Sequence, residues 1–176
     1  MKTFALGGVH PPENKLAASH PIEKLPLPEQ VSIPLSQHLG VPAVPVVQKG
    51  ADVKTGQLIA RGEAFISANI HSSVAGKVFR IDEVMDTSGY KKKAIVINVE
   101  GDEWMEGIDT SDTLIKDCSL SPADILDKVK ANGVVGLGGA TFPSHVKLMI
   151  PKGKKAEYLI INGVECEPYL TADHRL

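Results

Sequence analysis

The sequence predicts a multidomain α+β protein in which an all-β domain is followed by the beginning of an α/β domain. Between residues 31 and 100, short β-type runs alternate with glycines and show no helical periodicity; residues 101–120 are acidic and rich in turn residues; and a helical pattern begins at Ser121. We therefore expect four segments: an extended proline-rich leader (1–30), the β domain (31–100), a linker (101–120) and an incomplete α/β domain (121–176).

The composition excludes several classes of function. A net charge of -2 with scattered lysines provides no basic face, so nucleic acid is not an expected partner. No apolar run approaches the roughly 18 residues of a membrane helix and no signal peptide is recognisable, so we expect the chain itself to be cytosolic. The two cysteines, Cys118 and Cys166, are too few for a disulfide framework or a cysteine metal site, and the six histidines lack ligand spacing.

Six runs of β-type residues predict the strands of the first domain. In the last run, Ile95, Ile97 and Val99 alternate on one face, and Pro42 and Pro45 restrict their own run to a sheet edge or a bulge. A barrel or sandwich of about 70 residues is the simplest arrangement. The runs are VSIPL, AVPVV, QLIA, AFISANI, SVAGKVFRI and KAIVINVE.

The second part of the chain begins with a well-marked helix. Ser121 is a typical N-cap, Pro122 suits the first helical position, and Gly133 provides a stop. A short helix is expected near Pro143, a buried strand at residues 158–161, and the start of another helix after Thr171. Because one strand needs neighbours to pair with and a face to cover, we infer a piece of a longer polypeptide.

The segment GVVGLGGATFP, residues 133–143, combines four glycines with a helix start. Exposed backbone amides next to a helix N-terminus favour an anion such as a phosphate, and Lys147 one turn later strengthens that interpretation. The segment fits neither the dinucleotide fingerprint, because Thr141 replaces its last Gly or Ala, nor a P-loop. On glycine count alone, a tightly packed connection between helices is about as good an explanation.

A second polar segment, NGVECEPY, directly follows the predicted strand. Ligands of open α/β sheets bind beyond the carboxyl ends of strands, and carboxylates there suit ribose hydroxyls. The alternative is that Glu165 and Glu167 are solvated loop charges. Cys166 is a poor nucleophile candidate, because the flanking carboxylates raise a thiol pKa and no histidine lies nearby in sequence.

The strings GVVGLGGATFPSHVKL and LIINGVECEPYLTADHRL, with the leader GGVHPPE, resemble the RnfC family, a component of Rnf ion-translocating NADH:ferredoxin oxidoreductases. The same two motifs are similar to the flavin-bearing, NADH-oxidising subunit of respiratory complex I. The resemblance implies FMN and NADH as ligands. It also implies two 4Fe-4S clusters in the parent protein, held by cysteine motifs outside this chain.

The resemblance also implies roles for individual residues, without a catalytic side chain or a metal ligand among them. The FMN contacts would be Gly136, Gly138, Gly139, Lys147, Asn162 and Glu165, and the NADH contacts Phe142 and Glu167. Two positions depart from the complex I pattern: Val164 replaces an aspartate, and Ile150 replaces a second aromatic residue for the adenine.

The β domain is similar to the barrel-sandwich hybrids of lipoyl and biotinyl carriers. Such carriers modify a lysine at a hairpin tip, whereas Phe65 occupies that position here, so no lipoyl or biotinyl group is expected.

As a whole, the resemblance implies a membrane-bound electron transport complex coupling electron transfer between NADH and ferredoxin to ion translocation. The protein would lie peripherally at the cytoplasmic side of the membrane, with the other Rnf subunits as partners. The alternative is a non-catalytic docking or structural module of the complex.

Overall fold

The computed structural model describes residues 11–175, which divide between two compact units. The large unit is Pro26–Lys152, and the small unit combines Met1–Leu25 with Gly153–Leu176. The first ten residues of the predicted leader, and with them the GGVH of GGVHPPE, lie outside the described residues. The elements in chain order are β1 (Gln30–Pro34), β2 (Val44–Pro45), β3 (Asp52–Val53), β4 (Leu58–Arg61), β5 (Ile70–His71), β6 (Ala75–Met85), β7 (Lys91–Gly101), α1 (Pro122–Ala131), α2 (Ser144–Lys147) and α3 (Ala172–Arg175).

Two antiparallel sheets form the β domain of the large unit. One has the order β1-β7-β6-β3 and the other the order β2-β4-β5. Aliphatic residues of both sheets make one core, in which Ile59, Ile95 and Ile97 are completely buried. The prediction of an all-β region followed by helices is confirmed.

Proline placement follows the prediction for the second run, because Pro45 lies in β2, the edge strand of the smaller sheet. An edge position tolerates proline because its missing N–H leaves no ladder bond unmade. The alternation along β7 is only partly as expected. Ile95, Ile97 and Val99 contribute to the core, but Ala94 and Val96 are buried as well, so the middle of β7 is covered on both faces.

The run AFISANI is strand only at its end, in β5, so the prediction of a strand over its full length is wrong. Polar side chains replace the ladder there. The Asn69 side chain accepts from the Gly62 N–H at 3.0 Å, and the buried Ser67 hydroxyl donates to the Val41 carbonyl at 2.8 Å. These bonds stabilise a loop, in which Phe65 is 64% exposed.

The hairpin of β6 and β7 is longer than its two sequence runs indicate. Its turn is held by Asp86, which accepts from the backbone of Ser88 at 2.9 Å and pairs with Lys92 at 2.6 Å. The Lys92 ammonium and the Ser88 hydroxyl hold the pKa of the Asp86 carboxyl well below its usual range. The turn therefore carries an ionised carboxylate throughout the physiological range of pH.

The helix predicted at Ser121 is confirmed as α1. Ser121 accepts from the Asp124 N–H, the Asp124 carboxylate accepts from the Ser121 N–H, and Pro122 stands at the first helical position. Gly133 follows the C-cap with φ +65°, a left-handed conformation suited to glycine. The short helix expected near Pro143 is α2, and the helix expected after Thr171 is α3.

The buried strand predicted at residues 158–161 is wrong. All four side chains are between 77% and 87% exposed, and the segment has no regular secondary structure. A strand depends on a neighbour that satisfies its backbone groups, and none of the described strands pairs with this segment. Hydrophobic composition alone therefore does not make it a strand.

Candidate functional site

The glycine loop of the large unit is closed at its base and open at its tip. The Gly136 N–H donates to the Phe142 carbonyl at 3.0 Å, and the Ser144 N–H donates to the Val134 carbonyl at 2.9 Å. Between these bonds, residues 137–140 form an exposed turn. A Cβ added to Gly138 or Gly139 would meet no atom within 4 Å, so a ligand has room to approach this backbone closely.

Lys147 lies against this loop. A Cβ on Gly136 would be 2.6 Å from the Lys147 Nζ, so the absence of a side chain at Gly136 makes room for the ammonium. The sequence predicts Lys147 near the loop because it follows Pro143 by about one helical turn, and the structure shows the two together. Gly136 differs from its neighbours, however, because its own amide is already bonded within the loop.

The β domain holds both ends of the glycine loop. The Leu39 N–H donates to the Thr141 carbonyl at 3.2 Å, and the Asn69 amide donates to the Ala131 carbonyl at the end of α1 at 3.0 Å. Gly133 packs so closely on the backbone of Asn69 that any Cβ would overlap its carbonyl oxygen. The start of the second domain is therefore docked on the first.

A buried histidine adds to this attachment. His145 of α2 is buried and hydrogen-bonded to the backbone of Phe65, and burial, with the nearby Lys130 ammonium, lowers the pKa of its imidazole. The hairpin tip that holds a modified lysine in carriers thus supports α2 here. Sequence reasoning missed Asn69 and His145, since neither belongs to a recognisable motif.

Phe142 lies half-buried between the glycine loop and α2, and its carbonyl is the acceptor that closes the loop. Its ring is thus fixed to a well-braced segment. Ile150, which replaces a second aromatic residue in the complex I pattern, is exposed. An aliphatic side chain there offers apolar contact but no stacking face to an adenine.

The acidic segment lies in the small unit and has its own internal structure. Asn162 accepts from the Val164 N–H at 3.2 Å, which makes an Asx turn and leaves its amide group as donor. Glu165 follows in the left-handed region, with φ +55°. Val164, at the position where complex I has an aspartate, is exposed.

Glu165 caps α3. Its carboxylate accepts from the N–H of His174 at 3.0 Å and from the N–H of Asp173 at 3.3 Å, and the Asp173 carboxylate accepts from the Glu165 N–H at 3.0 Å. This reciprocal arrangement satisfies amide groups at the first turn that have no partner inside the helix. Glu165 therefore has a structural role that its sequence position did not indicate, and its contact with FMN stays a prediction.

Glu167 is exposed in the same segment, and its backbone is held by the leader. Lys15 donates from Nζ to the carbonyls of Glu167 and Leu170, at 3.1 and 2.6 Å. The neighbouring Asn14 donates to the Tyr169 hydroxyl at 3.4 Å. A separation of more than 150 residues kept both contacts from view in the sequence.

Residues 11–175 offer neither a membrane-spanning helix nor a ready metal site. No helix in this part of the chain is long and apolar enough to cross a bilayer. The same part contains no group of three His, Cys, Asp or Glu side chains with a geometry suited to a metal ion. Cys118 and Cys166 are both exposed at the surface.

Comparison with known proteins gives two family matches. Residues 2–102, more than half of the chain, match the RnfC Barrel sandwich hybrid domain. Residues 129–176 match the Nuo51 FMN-binding domain. The first match covers the β domain, and the second begins near the end of α1 and includes the glycine loop and the acidic segment.

Several curated proteins are similar over nearly the whole chain. The chain is 51% identical over 99% of its length to the RnfC-type component of the proton-translocating ferredoxin:NAD(+) oxidoreductase complex of Clostridium ljungdahlii. It is 44% identical over 97% of its length to the corresponding component of the Na(+)-translocating complex of Acetobacterium woodii. The corresponding component of the ion-translocating oxidoreductase complex of Rhodobacter capsulatus is 39% identical over 100% of the chain. The chain spans 34–38% of the length of these relatives.

Proposed function

The chain belongs to the RnfC family, and on that premise we propose that it contributes part of an FMN and NADH site to an ion-translocating electron transport complex. The complete protein takes a hydride from NADH through FMN and relays electrons to 4Fe-4S clusters bound outside this chain. The complex couples electron transfer between NADH and ferredoxin to ion translocation at the cytoplasmic side of the membrane.

The observation that carries this proposal is the open glycine loop with an ammonium against it. Gly138 and Gly139 leave unobstructed space at the exposed tip, and the Lys147 Nζ lies beside Gly136. Backbone that a ligand can approach closely, next to a positive charge, fits the phosphate of FMN. The braced base of the loop keeps this arrangement formed without the ligand, which lowers the cost of binding.

The chain's own residues bind and orient the reactants. When bound, FMN accepts a hydride and releases electrons singly, chemistry that belongs to the cofactor. Lys147 pairs with its phosphate, and the Asn162 amide donates to it. The Phe142 ring packs on the adenine of NADH, and the Glu167 carboxylate accepts from ribose hydroxyls. With Glu165 capping α3, its acidic segment presents a fixed backbone to the flavin.

An anaerobic reduction experiment tests the proposed function. The complete natural polypeptide that carries this sequence is purified, loaded with FMN and mixed with NADH, and the flavin absorbance near 450 nm is followed. Bleaching at substoichiometric protein-to-NADH ratios is expected. Absence of bleaching in protein that retains stoichiometric FMN would contradict the proposal.

The docking alternative is favoured by one observation, the exposed Phe65 where carriers hold a lysine. If the β domain serves only as a docking module, Phe65→Ser should reduce co-purification of the other members of the complex while leaving FMN content unchanged. The electron-transfer proposal and this one are compatible in the complete protein, but only the former requires the glycine loop.

A further inference from the structure

The leader lines a cleft in the small unit. The cleft has a volume of about 590 Å³, and its walls come from both ends of that unit. Pro11, Glu13 and Lys15 form one wall, and residues 163–168 with His174 form the other. Neither the family resemblance nor the proposed site assigns any role to these leader residues.

Lys15 is the residue that joins the two walls. Its ammonium bridges the carbonyls of Glu167 and Leu170, and the Leu170 N–H donates back to the Glu167 carbonyl at 3.2 Å. The Lys15 ammonium therefore closes the turn on which the Glu167 side chain is carried. Asn14, held with φ +46°, adds its bond to Tyr169 of the same turn.

The cleft carries an excess of negative charge within the described part of the chain, residues 11–175. The carboxylates of Glu13, Glu165 and Glu167 line it together with the ammonium of Lys15. NADH brings two further negative charges on its pyrophosphate, so each positive charge removed from the cleft makes its approach less favourable. Hydrogen bonds from a charged donor are also about twice as strong as neutral ones, so the Lys15 ammonium contributes strongly to the turn.

We propose that Lys15 is a positioning residue of the NADH site: it fixes the turn that carries Glu167 and reduces the negative charge of the cleft that NADH enters. The leader is then a wall of the substrate site. This inference rests on the proposed function, because it takes Glu167 as an NADH contact.

The test uses the complete natural polypeptide and two readouts. In FMN-free protein, NADH binding is titrated by the fluorescence of NADH itself. In FMN-loaded protein, kcat and KM for NADH are measured with ferricyanide as electron acceptor. Lys15→Met should raise both the Kd and the KM by about tenfold with kcat changed less than twofold, the loss of one charged hydrogen-bond donor. Lys15→Arg should recover most of the affinity, and Lys24→Met, an exposed leader lysine, is the matched control.

The outcomes separate the two proposals. Wild-type protein that holds FMN but neither binds nor oxidises NADH would overturn the proposed function and the role of Lys15 with it. Normal NADH binding and an unchanged Kd in Lys15→Met would overturn the role of Lys15 alone. If Lys15→Met does not fold, Asn14→Gly, which keeps the backbone conformation and removes the Tyr169 bond, should raise the Kd by about threefold; an unchanged value would overturn the inference.

Discussion

Replacement of Gly133 by alanine should destabilise the large unit by about 2–4 kcal/mol. The left-handed conformation at φ +65° costs a non-glycine residue about 1–2 kcal/mol. The new Cβ would also overlap the backbone carbonyl of Asn69, which is not a flexible side chain, and overpacking of this kind costs about 1–3 kcal/mol. Gly89→Ala is the matched control, because Gly89 has φ +81° but an added Cβ meets nothing within 4 Å.

The assay is urea unfolding of the 176-residue chain, followed by the fluorescence of Trp104, its single tryptophan. Gly89→Ala should lower the free energy of unfolding by the backbone contribution alone, about 1 kcal/mol. Gly133→Ala should lower it by a further 1–3 kcal/mol, roughly the steric contribution. Equal effects of the two substitutions would refute the docking of α1 on the β domain.

Three further effects follow from the capping and burial of named groups. Ser121→Ala removes the reciprocal bonds at the start of α1 and should cost about 1 kcal/mol, seen as faster amide exchange in its first turn. Glu165→Ala should speed amide exchange in α3 without changing α1, and equal protection in the variant would contradict the capping role. Burial lowers the pKa of His145 and of His71, so the unfolded chain binds more protons below pH 6.5. Stability should therefore be complete above about pH 6.5 and fall as the pH drops toward the folded-state pKa values; urea unfolding at pH 7.5 and 5.5 measures the change, and His145→Phe should reduce it.

Local signals in the sequence predicted the parts of the structure that local interactions determine. The cap of α1 needs only Ser121, Pro122 and Asp124, which are neighbours, and the whole helix follows the prediction. The approach of Lys147 to the glycine loop needs only the geometry of one helical turn. Edge placement of Pro45 follows from its missing N–H.

Interactions between distant residues account for what the sequence did not reveal. The segment at 158–161 has strand composition, but a strand is defined by partners that composition does not supply. The run AFISANI contains Asn69, whose side chain bonds Gly62 and Ala131 instead of leaving the backbone to a ladder. The contact of Lys15 with the acidic segment joins the two ends of the chain and has no local signal.

The central claim is that Lys147 and the glycine loop bind the phosphate of FMN. The most direct measurement compares FMN with riboflavin, which lacks that phosphate, in fluorescence-quenching titrations of wild-type and Lys147→Met protein in the complete natural polypeptide. Loss of one ammonium about 4 Å from a phosphate in water predicts about fivefold weaker FMN binding. Riboflavin binding should not change, and Lys152→Met should affect neither ligand. Equal effects of Lys147→Met on both flavins, or no effect on FMN, would contradict the account.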